Sequence, residues 1–171
     1  MKLSREEAWK LHRSVAASVF KTNPLDLARV SFAVNLKENR PFDTNAKNSK
    51  SSARGLMQML KGTQCEIERK FLKQSCNPDS IYDARHAVEL AQRYLVYQFN
   101  RYGKDWRKAV HAYNQGSYQP SRARAFAEGE NYATGVLSFY NSQDYASLDA
   151  AIGVSSGTTT TTLQTTNSGW S

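Results

Sequence analysis

The sequence contains no run of about 18 consecutive apolar residues, so nothing in it predicts a membrane-spanning helix. Its opening, Met1 to Glu7, has no apolar h-region, and a chain starting there is expected not to leave its cell through a signal peptide. Acidic residues are in the minority, 15 against 23 Lys and Arg, and the formal charge of +8 favours anionic partners. The basic residues form no compact block: Lys47, Lys50, Arg54, Arg101, Lys104, Arg107, Lys108, Arg122 and Arg124 are dispersed, which disfavours a nucleic-acid partner. The three histidines, His12, His86 and His111, fall on predicted helices with no second ligand at metal spacing, so neither a metal nor a cofactor is expected. No phosphate loop, dinucleotide fingerprint or nucleophile triad is present. Cysteine is limited to Cys65 and Cys76, which flank a short predicted helix. They either pair in an oxidising compartment or stay as two reduced, partly buried thiols, and the second is the simpler reading.

What is there reads as helix. With 171 residues, 40% of them apolar and 22% charged, the chain fits one globular domain with a real core. Ser4 and Glu7 make a capping-box pattern ahead of an amphipathic stretch through about Phe20. Pro24 suits the first turn of a second helix with Leu25, Ala28, Phe32 and Leu36 at helical spacing, ending near Glu38 because Pro41 stops it. Residues 39–54 read as a polar loop, and a third helix is predicted over 63–74. Asp83 caps the clearest helix, which runs toward Tyr102 and Gly103, and Asp105 caps another through about Tyr113. Two further pieces are predicted near 120–128 and 130–140. No alternating pattern exceeds four residues, so the expected class is mainly α with at most a very small sheet. The predicted organisation is an N-terminal helix over 1–22, a main domain over 23–152, and a Thr/Ser-rich tail over 153–171 that is disordered or ordered by a partner.

Glu38 ends an apolar helix at the start of a polar loop, a position that charged residues occupy routinely. The residues downstream of it carry more information. From Glu38 the chain runs through Phe42, Ala46, Ser49 and Ala53 to Gly55-Leu56-Met57-Gln58; the helix after Asp83 has Val88, Tyr94 and Leu95; then come Ala109-Val110-His111-Ala112-Tyr113-Asn114-Gln115-Gly116, and Glu128 with Tyr132. These four segments, over about residues 22–140, resemble in order the motifs of the soluble lytic transglycosylase family, which shares the goose-type lysozyme fold. The chain departs from that pattern at Asn39, where the family has Ser, at Ser52 for Gly, at Gly129 for Thr, and in two extra residues between Glu38 and Gly55.

The resemblance implies a lysozyme-like helical domain that acts on bacterial peptidoglycan, with Glu38 as its one catalytic carboxyl. Glu38 would protonate the oxygen between N-acetylmuramic acid and N-acetylglucosamine and then accept the proton of the muramyl C6 hydroxyl, closing a 1,6-anhydro ring. Within residues 31–62 the only other acid is Asp43, which matches no catalytic position and reads as solvated loop charge. The acid role needs a carboxyl that keeps its proton near neutral pH, and Phe32, Leu36, Leu56 and Met57 are candidates for the apolar walls that would achieve this. Ser49 would contact the substrate or orient the reacting hydroxyl, and Met57 would line the cleft floor. Gln58 offers donor and acceptor to an acetamido group, or bonds its own loop's backbone. Tyr113 and Asn114 sit where side chains enter a cleft, Tyr113 being equally readable as core, and Tyr132 matches the family tyrosine near the carboxyl. Rival readings are a lysozyme-type hydrolase on the same fold and a non-catalytic wall-binding module. With no signal peptide in view, the expected setting is a phage particle that breaches the wall, or a secretion or conjugation apparatus, with the Thr-rich tail as its attachment segment.

Overall fold

The computed structural model describes residues 1–155. Among the described residues seven α-helices succeed one another: α1 (Arg5–Val19), α2 (Pro24–Glu38), α3 (Lys61–Lys70), α4 (Ala84–Arg101), α5 (Trp106–Gln115), α6 (Ala123–Ser142) and α7 (Tyr145–Ala151), with a 3-10 helix, Pro78–Tyr82, between α3 and α4. Extended pairing among the described residues is limited to isolated bridges, Lys2 with Asp43 and Arg54 with both Lys47 and Met59. The predicted tail lies, from residue 156 onward, outside the described residues.

The helix starts reflect local chemistry. The Ser4 hydroxyl accepts from the Glu7 N–H while the Glu7 carboxylate accepts from the Ser4 N–H, which satisfies two amide donors that the first turn would leave unpaired. Asp83 and Asp105 cap α4 and α5 in the same way, through the N–H groups of His86 and Lys108. α2 is the axis of the fold. Its buried residues run without a break from Leu25 to Leu36, and it packs against α1, α4 and α6. Phe32 sits at its centre, edge-on to Trp9 of α1 at 5.3 Å and stacked on Phe42 at 5.9 Å. That placement fixes both ends of the segment after Glu38: Phe42 is held in the core at one end, and Leu56 and Met57, both fully buried, at the other.

Three sequence expectations need correction. The two helical pieces near 120–128 and 130–140 are one helix, α6, which runs through Gly129. Glycine is needed there for closeness and not for a break: a Cβ would lie 2.5 Å from the His111 imidazole of α5. The 3-10 helix and α7 add to the predicted elements, being too short to carry a periodic signal in the sequence. Cys65 and Cys76 are joined in a disulfide, with their Cα atoms 4.8 Å apart. The backbone after α3 folds back, with the Gln74 N–H on the Glu68 carbonyl and the Asn77 N–H on the Glu68 carboxylate, and this return brings the two thiols together.

These contacts set the expected outcome of two stability measurements. Replacing Cys65 and Cys76 together by Ser opens a loop with a sequence separation of 11. Denaturant unfolding is expected to show about 2–3 kcal/mol less stability, the chain-entropy value for a loop of that size. For Gly129→Ala, the helix-propensity gain of up to about 1 kcal/mol is outweighed by overpacking of about 1–3 kcal/mol against His111. In a His111→Ala background, which itself loses the 3.0 Å contact of His111 Nδ1 with Glu130, the further cost of Gly129→Ala should fall to near zero, because the clash is gone.

Candidate active site

α2 delivers Glu38 at its last turn, where chain geometry and burial act on the carboxyl together. The Asn39 N–H still closes on the Asn35 carbonyl at 2.8 Å, and Pro41 prevents a further turn. The C-terminal end of a helix dipole already disfavours a negative charge. Burial pushes the Glu38 carboxyl up to about 7, with the neighbouring Lys37 ammonium only partly opposing the shift.

Glu38 opens into a cleft of about 420 Å³, within the size range of small-ligand sites. Gln58, Tyr94, Tyr113, Asn114 and Tyr132 line it too, and Glu38 is the only carboxyl among its described lining residues. The hydroxyls of Tyr113 and Tyr132 are buried and have no hydrogen-bond partner among the described residues. Burial raises both phenols, and the charge of Glu38 raises them further, so they remain O–H donors. Gln58 occupies the left-handed region at φ 51° and spends its amide N–H groups on the carbonyls of Ala46 and Gly55, at 3.3 and 3.0 Å. Gln58 thus both bonds its own loop's backbone and lines the cleft, where its Oε1 is an acceptor.

The structure does not bring Ser49 or Met57 to the cleft. Ser49 is exposed at the tip of a hairpin-like loop whose base is the Lys47–Arg54 bridge, with the Asn48 N–H on the Ala53 carbonyl at 2.9 Å. Met57 is fully buried and fixes the Gly55–Gln58 turn from inside the core. Asp43 also lies away from the cleft and accepts from the Asn45 N–H at 3.0 Å.

The residues that hold the turn carry no motif in the sequence. Asn39, which in sequence is only a departure from the family pattern, donates through Nδ2 to the carbonyls of Asp43 and Leu56, at 2.8 and 3.2 Å, and accepts the Asp43 N–H through Oδ1. Asn35 donates to the same Leu56 carbonyl at 3.0 Å. Behind it, His12 is fully buried between Asn35 Oδ1, at 3.0 Å from Nε2, and Ser31 Oγ, at 2.7 Å from Nδ1. Burial lowers the His12 pKa to about 4, so near neutral pH the ring is uncharged. Asn35 Oδ1 can only accept, which places the ring proton on Nε2. Gln92 of α4 completes the network by donating to Ser31 Oγ and to the His12 carbonyl. The available signal is a polar row of period four, Ser31, Asn35 and Asn39, along α2 and its C-cap.

The far side of the turn rests on the 3-10 helix. Gly55, at φ 78°, approaches the Ile81 carbonyl so closely that a Cβ would lie 2.6 Å from its oxygen. Arg54 Nη2 donates to the Pro78 carbonyl at 3.0 Å and to Gln64 Oε1 at 2.6 Å.

A lysozyme-like helical domain, in which one elevated carboxyl faces a cleft lined by tyrosines and amides, is thus the class defined by fold and site. The Transglycosylase SLT domain family matches residues 29–134, more than half of the chain, and the chain belongs to that family. Among solved structures it is similar to the 70 kDa soluble lytic transglycosylase of Escherichia coli, with a TM-score of 0.61 and 20% identity over 84% of this chain and 25% of that one. It is similar too to an inactive mutant of the lytic transglycosylase Slt of Pseudomonas aeruginosa, with a TM-score of 0.61 and 22% identity over 83% of this chain and 24% of that one. The chain thus spans about a quarter of the length of these two proteins. A comparison with curated proteins finds no match. Among the described residues no helix is long and apolar enough to cross a membrane.

Proposed function

We propose that the chain cleaves the glycan strands of bacterial peptidoglycan by lytic transglycosylation, with Glu38 as general acid and then general base. The observation that carries this reading is a lone cleft carboxyl whose pKa is raised to about 7 by burial. Glycosidases that hydrolyse with paired carboxylates need a second acid beside the scissile bond. Here the described lining residues supply none. Protonated Glu38 gives its proton to the oxygen between N-acetylmuramic acid and N-acetylglucosamine. The C1–O bond breaks with its electron pair on the leaving oxygen. The ionised carboxylate then takes the proton of the muramyl C6 hydroxyl, and the C6 oxygen bonds to C1 to give the 1,6-anhydro ring without consuming water. Gln58 Oε1, Asn114 and the unpartnered hydroxyls of Tyr113 and Tyr132 provide the polar groups that meet the sugar substituents. Ser49 and Met57 are left out of this assignment by where they sit.

Digestion of purified peptidoglycan followed by mass spectrometry tests the reading. Fragments one water lighter than the reducing sugars are expected. Reducing ends would establish a lysozyme-type hydrolase, and sedimentation with the wall without any fragments would establish a binding module. The Thr/Ser-rich composition beyond Gly153 supports a more specific setting, a wall-breaching part of a phage particle or of a secretion or conjugation apparatus. Recovery of the chain with purified particles is the expected result, and recovery only as a free cytosolic protein would overturn that setting.

A further inference from the structure

The cleft has an aromatic extension on the outer surface. Tyr113 and Tyr94 lie in the cleft wall with ring centroids 5.6 Å apart. Three residues further along α4, Tyr97 stacks parallel to Tyr94 at 6.4 Å, with an interplanar angle of 9°. Phe71, just beyond α3, meets Tyr97 at 5.3 Å. The series passes from buried to open: Tyr97 is 42% and Phe71 37% exposed. Leu60, at the opposite end of α3, is 47% exposed and is itself a cleft residue. Apart from Met1, these three are the large apolar side chains exposed among the described residues, and all of them flank α3 on the cleft side or continue the ring series. The open parts of these rings gain nothing from the core, and their grouping at the mouth of a cleft is the pattern of a binding surface.

We propose that Tyr94, Tyr97 and Phe71 form a track for the glycan strand outside the cleft, on which sugars beyond the cleaved bond rest their apolar faces. This rests on the reading of the substrate as a β-1,4 glycan. In such a strand the ring substituents are equatorial, so each pyranose presents a face of axial C–H bonds. An aromatic ring carries negative charge density on its face and attracts those C–H groups, and Tyr adds a hydroxyl at its edge for sugar oxygens. The ten-residue α3 spans on the order of 15 Å between Leu60 and Phe71, enough for a few linked sugars. The occupant is fixed by continuity: the strand that fills the cleft at Tyr94 leaves it across Tyr97.

The test measures binding by the Glu38→Gln chain, which holds its ligands uncleaved, with peptide-free glycan strands and with a tetrasaccharide of the same repeat as probes. Long strands should bind more tightly than the tetrasaccharide. Tyr97→Ala together with Phe71→Ala should reduce long-strand affinity by about fivefold to tenfold, the yield of two lost ring contacts, and leave tetrasaccharide affinity where it was. Exchanging the rings, Tyr97→Phe with Phe71→Tyr, should retain the length preference. Equal affinity for the two ligands in the parent, or an unchanged long-strand affinity in the Ala variant, overturns the track. An equal loss for both ligands also overturns it, because the two rings would then be acting on the cleft itself. Failure of the cleavage reading looks different: long strands would bind in a ring-dependent manner, yet the unsubstituted chain would release no anhydro fragments.

Discussion

Glu38→Gln should abolish fragment release from peptidoglycan and, at alkaline pH, yield a more stable protein. The rate loss is expected to be at least about 10³-fold, the scale of a positioned general acid, and more if the same group also serves as base. The stability change has a sign set by the pKa. Burial holds the native carboxyl near 7, against a reference value of 4.5. The folded chain therefore keeps a proton that the unfolded chain has released between these two pH values, and folded-state stability falls as pH rises through that window. The cost is complete above pH 7 and amounts to at most about 3 kcal/mol, less because the carboxyl retains some solvent contact. Gln carries no charge at any pH and avoids it. Unfolding of wild type and variant in denaturant at pH 4 and pH 8 should show little difference at the lower pH and a gain of about 1–3 kcal/mol for the variant at the higher one. A gain of equal size at both would mean that Glu38 is not the perturbed acid. Wild-type turnover should decline as pH rises through about 7, when the acid loses its proton.

Asn39→Ala should cost both stability and rate, without moving that pH profile. The substitution removes the hydrogen bonds that Nδ2 donates to the Asp43, Gly55 and Leu56 carbonyls and the one Oδ1 accepts from the Asp43 N–H, and leaves the Leu56 carbonyl to Asn35. Unpaired backbone groups at a buried site cost about 1–3 kcal/mol. The same loss frees the Gly55–Gln58 turn from the helix that carries Glu38, and a misplacement of about 1 Å between catalytic and binding groups can lower turnover on the order of 10²-fold. Steady-state kinetics on soluble glycan strands should show the loss mainly in kcat. Asn39→Ser, the family residue, has too short a side chain to span these carbonyls and should fall between the two. A variant with wild-type kcat and reduced stability would confine Asn39 to folding.

The legible and illegible parts of this molecule divide by range of interaction. Caps at Ser4, Asp83 and Asp105 and the stop at Pro41 act within a few residues, so the sequence shows them directly. Glu38, Gln58, Tyr113, Asn114 and Tyr132 all line the cleft, and their motif spacing is legible because helix ends, a tight turn and the middle of α6 share one opening. Ser49 sits at the tip of an exposed loop, a placement that the order of motif residues does not reveal. Met57 misled because an apolar side chain next to a cleft residue can face either the cleft or the core. Gly129 looked like a helix break, since its reason is a ring on another helix, 18 residues earlier in the chain at His111. The disulfide was hidden for a similar reason: spacing cannot show that residues 71–77 double back on α3.

The cross-link between Cys65 and Cys76 reaches beyond its own loop. It ties α3 to the segment entering the 3-10 helix, on which Gly55 leans and to which Arg54 is hydrogen-bonded at Pro78. A thiol reagent in a purification buffer therefore acts, through a few contacts, on the backbone that presents Gln58. Preparations with the cross-link closed and with it opened are different chemical species of one chain. A difference in wall-digesting activity between them would measure the support under the turn rather than the carboxyl in the cleft.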